Sequence, residues 1–118
     1  MSHVLVKVSE NLSEGDVLCF DENNSLWVQA IDDSKVFGVL IETPFQDESN
    51  PEVFWGKIVF NGITYAKASR DIPDCGGFLE IENGKVFVTQ TKKNSLILPN
   101  VKELPLRISN ELVMIRLS

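Results

Sequence analysis

The chain has 118 residues, a length that suits one domain, with 43% hydrophobic and 24% charged residues. This composition is close to the globular average and favours neither a disordered nor a membrane protein. There are 11 Lys and Arg residues against 17 Asp and Glu residues, so the net charge is −6 and binding to nucleic-acid phosphates is not expected. With one His and two Cys, a zinc site of four Cys and His ligands is excluded.

Nine short runs of β-prone residues, separated by turn signals, account for most of the sequence. In chain order they are 4–8, 16–20, 26–30, 36–41, 53–60, 63–66, 78–82, 85–89 and 112–117. No segment of twelve residues sustains the periodicity of a helix. We therefore predict an all-β fold, a small barrel or sandwich of about nine short, mostly antiparallel strands with little helix.

Two turns have a clear chemical basis. Asn83-Gly84 lies between two alternating runs, and both residues of a two-residue type I′ loop need positive φ, which Asn and Gly adopt readily. The segment 21–25 is rich in Asp and Asn, whose side chains bond their own main chain. A tight hairpin is predicted at the first position and a longer hairpin loop at the second.

Residues 1–118 are predicted to form a single β-rich domain with no internal repeat. Within it, residues 1–10 can serve as a strand-donating arm, and residues 96–118 are interpreted as a C-terminal extension. The chain starts without a basic segment and a long apolar run, so no signal peptide is expected, and no window predicts a membrane helix. A disulfide between Cys19 and Cys75 stays open, with a reduced pair favoured.

No set of residues points to catalysis, a metal or a cofactor. Asp32 and Asp33 are adjacent, so their side chains point apart on a strand or turn. The oxygen-rich segment 21–24 lacks the alternating spacing of a calcium loop, and Gly76-Gly77 lacks the Lys and Ser or Thr of a phosphate-binding loop. We therefore predict a protein that is not an enzyme and carries no cofactor.

The run from Val53 is apolar on both of its faces. Val53, Trp55, Lys57 and Val59 alternate onto one face. The opposite face carries Phe54, Gly56, Ile58 and Phe60. Because a strand of a small barrel faces water on one side, cover on both sides comes either from the chain's own fold or from another subunit. If another subunit provides the cover, Val53, Trp55, Lys57 and Val59 form a subunit interface.

The first run is the candidate for binding another protein. Its alternation of Val4, Val6 and Val8 is typical of a strand, and an extended segment can add a strand to an exposed sheet edge of a partner. The candidate partner-binding residues are Val4, Leu5, Val6, Lys7 and Val8.

An ordered series of runs fills the region from Leu12 to about Tyr65. It comprises the strand 15–20, the Asp/Asn turn 21–25, the run 26–30, the polar break 32–34, the apolar-Gly-apolar run 37–40 and the apolar region 53–65. This series resembles the head decoration, or cement, proteins of tailed bacteriophages, the lambda-type family and related capsid-stabilising or head-fibre-base proteins.

The resemblance implies a non-catalytic structural protein of the virion, made in the host cytoplasm and bound to the outer capsid surface, which it stabilises. The implied partners are the major capsid protein and further copies of the chain, with a homotrimer favoured; neither nucleic acid nor membrane is among them. The alternative is a small β-barrel binding module that recognises carbohydrate or a partner protein through an exposed aromatic, Trp27 or Trp55.

Overall fold

A computed structural model describes residues 3–99 and 112–118, and in these ranges the backbone forms eleven strands and no helix. The all-β prediction is thereby confirmed. The strands are β1 (Val4–Val8), β2 (Val17–Asp21), β3 (Leu26–Gln29), β4 (Phe37–Leu40), β5 (Phe45–Gln46), β6 (Phe54–Val59), β7 (Gly62–Lys67), β8 (Gly77–Glu82), β9 (Lys85–Thr89), β10 (Leu96–Ile97) and β11 (Leu112–Leu117). Within the described ranges, no helix is long and apolar enough to cross a membrane.

The first sheet, which we call unit 1, contains β1 to β6 in the order β1-β3-β2-β4-β6-β5. A further antiparallel pairing joins β1 to β6 over five residue pairs, so the sheet closes into a small barrel. Closure removes most of the free strand edges. The first run is therefore a barrel strand in this structure and not a detached arm.

The interior of unit 1 is filled by its own apolar side chains. Val8, Leu18, Leu40 and Ile58 are buried, and half-buried aromatic residues pack around them. Gly56 lies among these residues, where an added Cβ would come within 2.7 Å of the Leu40 side chain. A small residue is needed at this point because the barrel is closed by only five strands, β5 lying outside the ring, and has little room inside.

The second sheet, which we call unit 2, contains β7 to β11 in the order β7-β11-β10-β8-β9. A single parallel bridge between Ala68 and Val86 connects its two ends. The predicted hairpin at Asn83-Gly84 is confirmed, with φ values of 50° and 77°. In unit 2, β10 and β11 pair with each other, and β11 pairs with β7 over six residues. Residues 112–117 are thus an integral strand and not an extension, while 100–111 lie outside the described residues.

The two units repeat one topology. In each, the first strand pairs antiparallel with the last strand and parallel with the third, and the second strand lies between the third and the fourth. In unit 1 these five strands are β1, β2, β3, β4 and β6; in unit 2 they are β7, β8, β9, β10 and β11. The absence of a repeat, expected from the sequence, is therefore wrong at the level of the fold.

The register is also the same in the two units. Ser9 N donates to Trp27 O and Ser69 N donates to Val86 O, both at 2.9 Å, at the ends of the two first strands. The residue partners across the strands also match. Between the fourth and last strands, Leu40 faces Ile58 in unit 1 and Ile97 faces Ile115 in unit 2. Between the first and last strands, Val4 faces Ile58 and Thr64 faces Ile115. Each residue of the five paired strands of unit 1 thus has a defined counterpart in unit 2.

The two units share one core. Val17, Val39 and Val59 lie on the outside of the unit 1 barrel but are fully buried, because they join the apolar cluster formed by unit 2. Main-chain hydrogen bonds cross the same junction, among them Val17 N to Gly84 O at 2.9 Å. The units therefore pack as one body and not as separate domains.

Candidate partner-binding surface

Exposed apolar side chains are concentrated on unit 1. Of the seven large hydrophobic residues exposed in the described part of the chain, six belong to unit 1 and its loops, and only Ile63 belongs to unit 2. The six are Val4, Leu5, Phe20, Ile31, Val36 and Phe45. Unit 1 is therefore the candidate for a contact surface, since contact surfaces are where soluble proteins expose contiguous apolar area.

One end of the barrel carries a stack of three aromatic rings, which we call the aromatic end. Phe20 lies 5.8 Å from Trp27, and Trp27 lies 5.3 Å from Phe60 in an edge-to-face arrangement, measured between ring centroids. The pairings of β2 with β3 and of β4 with β6 place the end of β2, the start of β3 and the end of β6 at this same end of the barrel. These contacts hold the rings in fixed orientations.

The rim of the aromatic end is exposed. Val36, which precedes β4, is 78% exposed, Val4 at the start of β1 is 44% exposed, and Phe20 is 39% exposed. The aromatic end therefore presents a rigid apolar floor surrounded by accessible apolar groups.

A cleft of about 450 Å³ lies beside the aromatic end, between the two units. Val36 and Phe60 form part of its wall, and three lysines, Lys35, Lys92 and Lys93, lie along it. Lys93 is paired with Asp33 at 3.2 Å, at partly exposed positions. The cleft is therefore locally basic although the chain as a whole carries a charge of −6.

The outer face of β1 and β6 forms a second surface. Leu5 lies opposite Lys57, and Lys7 lies opposite Trp55, which in turn lies opposite Phe45 on β5. Leu5 and Phe45 are about half exposed. This face brings together residues that the sequence assigned to two different roles, partner binding and subunit contact.

Trp55 is held on this face by a carboxylate. Its indole Nε1 donates to Asp47 Oδ1 at 3.0 Å, and Ser49 Oγ donates to Asp47 Oδ2 at 2.7 Å. The Ser49 hydroxyl and then the Trp55 indole lower the pKa of the Asp47 carboxyl below its ordinary value, since both stabilise the charged form. The loop that follows β5 is thereby tied to β6.

Several of the predicted site residues are not at the surface. Val8 is buried and Val6 is half-buried in the barrel interior, because the alternation that places Leu5 and Lys7 outside turns these two inwards. Val59 is buried against unit 2, so the chain's own fold covers it and no other subunit can. Val4 remains exposed and Val53, at the start of the strand, is half-buried.

Neither tryptophan is an open platform. Trp27 is half-buried, with Phe20 and Phe60 against it and the barrel core beneath. Trp55 is also half-buried and its indole N–H is already bonded. A flat sugar-stacking surface of the kind expected for the alternative function is not formed by either side chain alone.

Phe20, Val36 and Phe45 were not singled out from the sequence. Phe20 and Val36 stand at the ends of the apolar runs 16–20 and 36–41, and Phe45 is a single apolar residue next to a polar loop. Exposed apolar residues at such positions are common on protein surfaces. Only the closure of the barrel shows that Phe20 and Val36 belong to one end of it. A sequence signal for such a surface would require the pairing of the strands to be known.

Residues 3–99 and 112–118 contain no cluster of three or more His, Cys, Asp or Glu side chains suited to a metal ion. Cys19 and Cys75 are both free thiols, the first half-buried and the second exposed. Comparison with known proteins finds no match to this chain among protein families, curated proteins or solved structures.

Proposed function

We propose that this chain is a structural, non-catalytic protein that decorates the outer surface of a bacteriophage head, stabilises it, and makes its contact with the major capsid protein through unit 1. The observation that supports this proposal is the unequal distribution of exposed large apolar side chains among the described residues, six on unit 1 and one on unit 2. Unit 2 in this arrangement faces solvent, as the outer layer of a decorated particle does. A trimer of the chain is the favoured assembly.

The aromatic end supplies the affinity of such a contact. Burial of an exposed Val or Phe side chain contributes about 1.5–3 kcal/mol when it is complete, and the rigid ring stack loses little conformational freedom on binding. The lysines of the neighbouring cleft favour a partner with acidic groups at the edge of the contact. The charge of −6 favours the solubility of the free chain before it binds.

Co-sedimentation with heads of the tailed phage that encodes this chain, stripped of accessory proteins, tests the proposal. Val36→Asp places a charge at the most exposed apolar position of unit 1, and the fold should tolerate it because the side chain is 78% exposed. We expect at least a tenfold loss of head binding, since a charge must then be desolvated in an apolar contact.

Ile63→Asp is the matched control, because Ile63 is the exposed apolar residue of unit 2 and is 49% exposed. It should leave head binding unchanged and preserve the increase in thermal stability of the heads that the wild-type chain provides. Equal binding by both variants and the wild type would contradict the assignment of unit 1 as the contact, and no binding by the wild type would contradict the function.

A further inference from the structure

Inside the chain, a turn of unit 1 covers the first strand of unit 2. Lys67, on β7, donates its main-chain N–H to Gly15 O at 3.0 Å. Its side-chain Nζ binds Asp16 Oδ1 at 2.9 Å and also donates to Ser13 Oγ. The turn 13–16 thus accepts a main-chain hydrogen bond from the edge of β7 and supplies the carboxylate that neutralises the Lys67 ammonium group.

This contact is tight and largely removed from solvent. The side chain of Asp16 is 4% exposed and that of Lys67 is 18% exposed. Gly15 adopts a φ of 92°, and an added Cβ would lie 2.4 Å from a methyl carbon of Leu112 on the neighbouring strand. The lysine, the strand edge and the turn together form one recognition unit.

Unit 1 has the same lysine at the equivalent position. Lys7 lies opposite Trp55 on the last strand of its barrel, as Lys67 lies opposite Leu112. Among the described residues nothing covers it: Lys7 is exposed and makes no ion pair there. β3 begins at Leu26 and is in register with the end of β1, so residues 4–6 have no β3 residue opposite them.

We propose that the Lys7 edge of unit 1 receives unit 2 of a second copy of this chain, in the way that the Lys67 edge receives the turn 13–16. The proposal deepens the oligomeric part of the proposed function and rests on it for the number of copies. The contact itself follows from the repeated topology of the two units.

The segment that enters is the turn that corresponds to 13–16 in unit 2. The pairings of β2 with β4 and of β8 with β10 make Phe78 the counterpart of Val17, so the turn 13–16 corresponds to 74–77, and Gly15 and Gly76 both have positive φ. The second turn is exposed at Pro73, Asp74 and Cys75. Its carboxylate, that of Asp74, supplies the acidic partner for Lys7, because Asp74 stands where unit 1 has Ser13, which contacts Lys67 Nζ, and Gly77 stands where unit 1 has Asp16.

Such a contact joins different surfaces of the two copies and is therefore head-to-tail. A head-to-tail contact generates a closed ring when the rotation between copies closes, and an open filament when it does not. A ring of three is the assembly that the proposed function requires. Because the new contact contains an exposed ion pair, raised ionic strength should weaken it.

Sedimentation velocity of the full chain without any phage head tests this inference. The wild type is expected to self-associate as its concentration rises from the micromolar to the millimolar range. Lys7→Glu and Asp74→Lys should each shift the chain towards the monomer, whereas the double variant should recover association because each of its contacts again pairs opposite charges.

Lys85→Glu is the control, since it changes the charge by the same amount at an exposed lysine of unit 2 outside the cleft. Unchanged thermal melting of all variants would show that the fold is kept. A monomeric wild type across this range, or association that persists in Lys7→Glu, would overturn the inference. A wild type that is monomeric but still binds heads would contradict the contact between copies alone. Loss of head binding by Val36→Asp, with normal self-association, tests only the proposed function.

Discussion

At the scale of single residues, the carboxyl group of Asp47 shows how a surface loop is fixed. Two side-chain donors converge on it, the Ser49 hydroxyl and the Trp55 indole N–H, beside the main-chain N–H of Ser49, and all three lower its pKa. A carboxyl whose pKa is lowered in the folded state stabilises the fold above its ordinary pKa, and this contribution is lost as the pH falls through the folded-state pKa.

Ser49→Ala should therefore raise the pKa of Asp47 towards the ordinary value of about 4, because the Ser49 hydroxyl is the largest of these causes. An NMR titration of the side-chain carboxyl carbon measures this pKa. Asp21, whose pKa is lowered mainly by the Asn24 side chain, is the internal control and should not change. An unchanged pKa at Asp47 would show that Ser49 does not hold the carboxylate in solution.

At the scale of the elements, the packing of a turn against two strands explains a glycine. Gly15 and Gly62 both have positive φ, 92° and 84°, but an added Cβ clashes with Leu112 at Gly15 and meets no atom within 4 Å at Gly62. The two positions separate the cost of the backbone conformation from the cost of crowding.

Gly62→Ala should lower the free energy of unfolding by roughly 1–2 kcal/mol, the cost of a left-handed conformation for Ala. Gly15→Ala should lose about 1–3 kcal/mol more, because the turn 13–16 must move away from β7 and β11. Urea denaturation of both variants measures the difference. Equal losses would contradict the close contact between the turn and unit 2.

The sequence predicted the long strands and the Asn83-Gly84 hairpin because periodicity and turn chemistry are local signals. β5 and β10 have two residues each and are too short to show any period. The interior direction of Val6 and Val8 was also out of reach, since it depends on closure of the barrel by β6. A strand with one apolar face indicates a buried side but not which element buries it.

At the scale of the whole molecule, the repeat was hidden because packing constrains size and not identity. Gly56 and Trp27 of unit 1 correspond to Val113 and Val86 of unit 2. Unit 1 thus has one very small and one large residue where unit 2 has two residues of intermediate size. Matching registers reveal the relationship where matching residues do not.

The repeat also accounts for the asymmetry of the molecule. Unit 2 is covered at its first strand by unit 1, while no segment of residues 3–99 or 112–118 covers the corresponding edge of unit 1. Unit 1 carries six of the seven exposed large apolar residues of the described chain. Two units of the same topology therefore have different surfaces in the described part of the chain.

The most direct test of unit 1 as the contact surface is amide hydrogen exchange, measured for the chain bound to phage heads and for the free chain. Exchange is expected to slow in the unit 1 segments that contain Phe20 and Val36, and to stay unchanged around Ile63 in unit 2. Slowed exchange around Ile63 with unit 1 unchanged would contradict the claim that unit 1 is the contact surface.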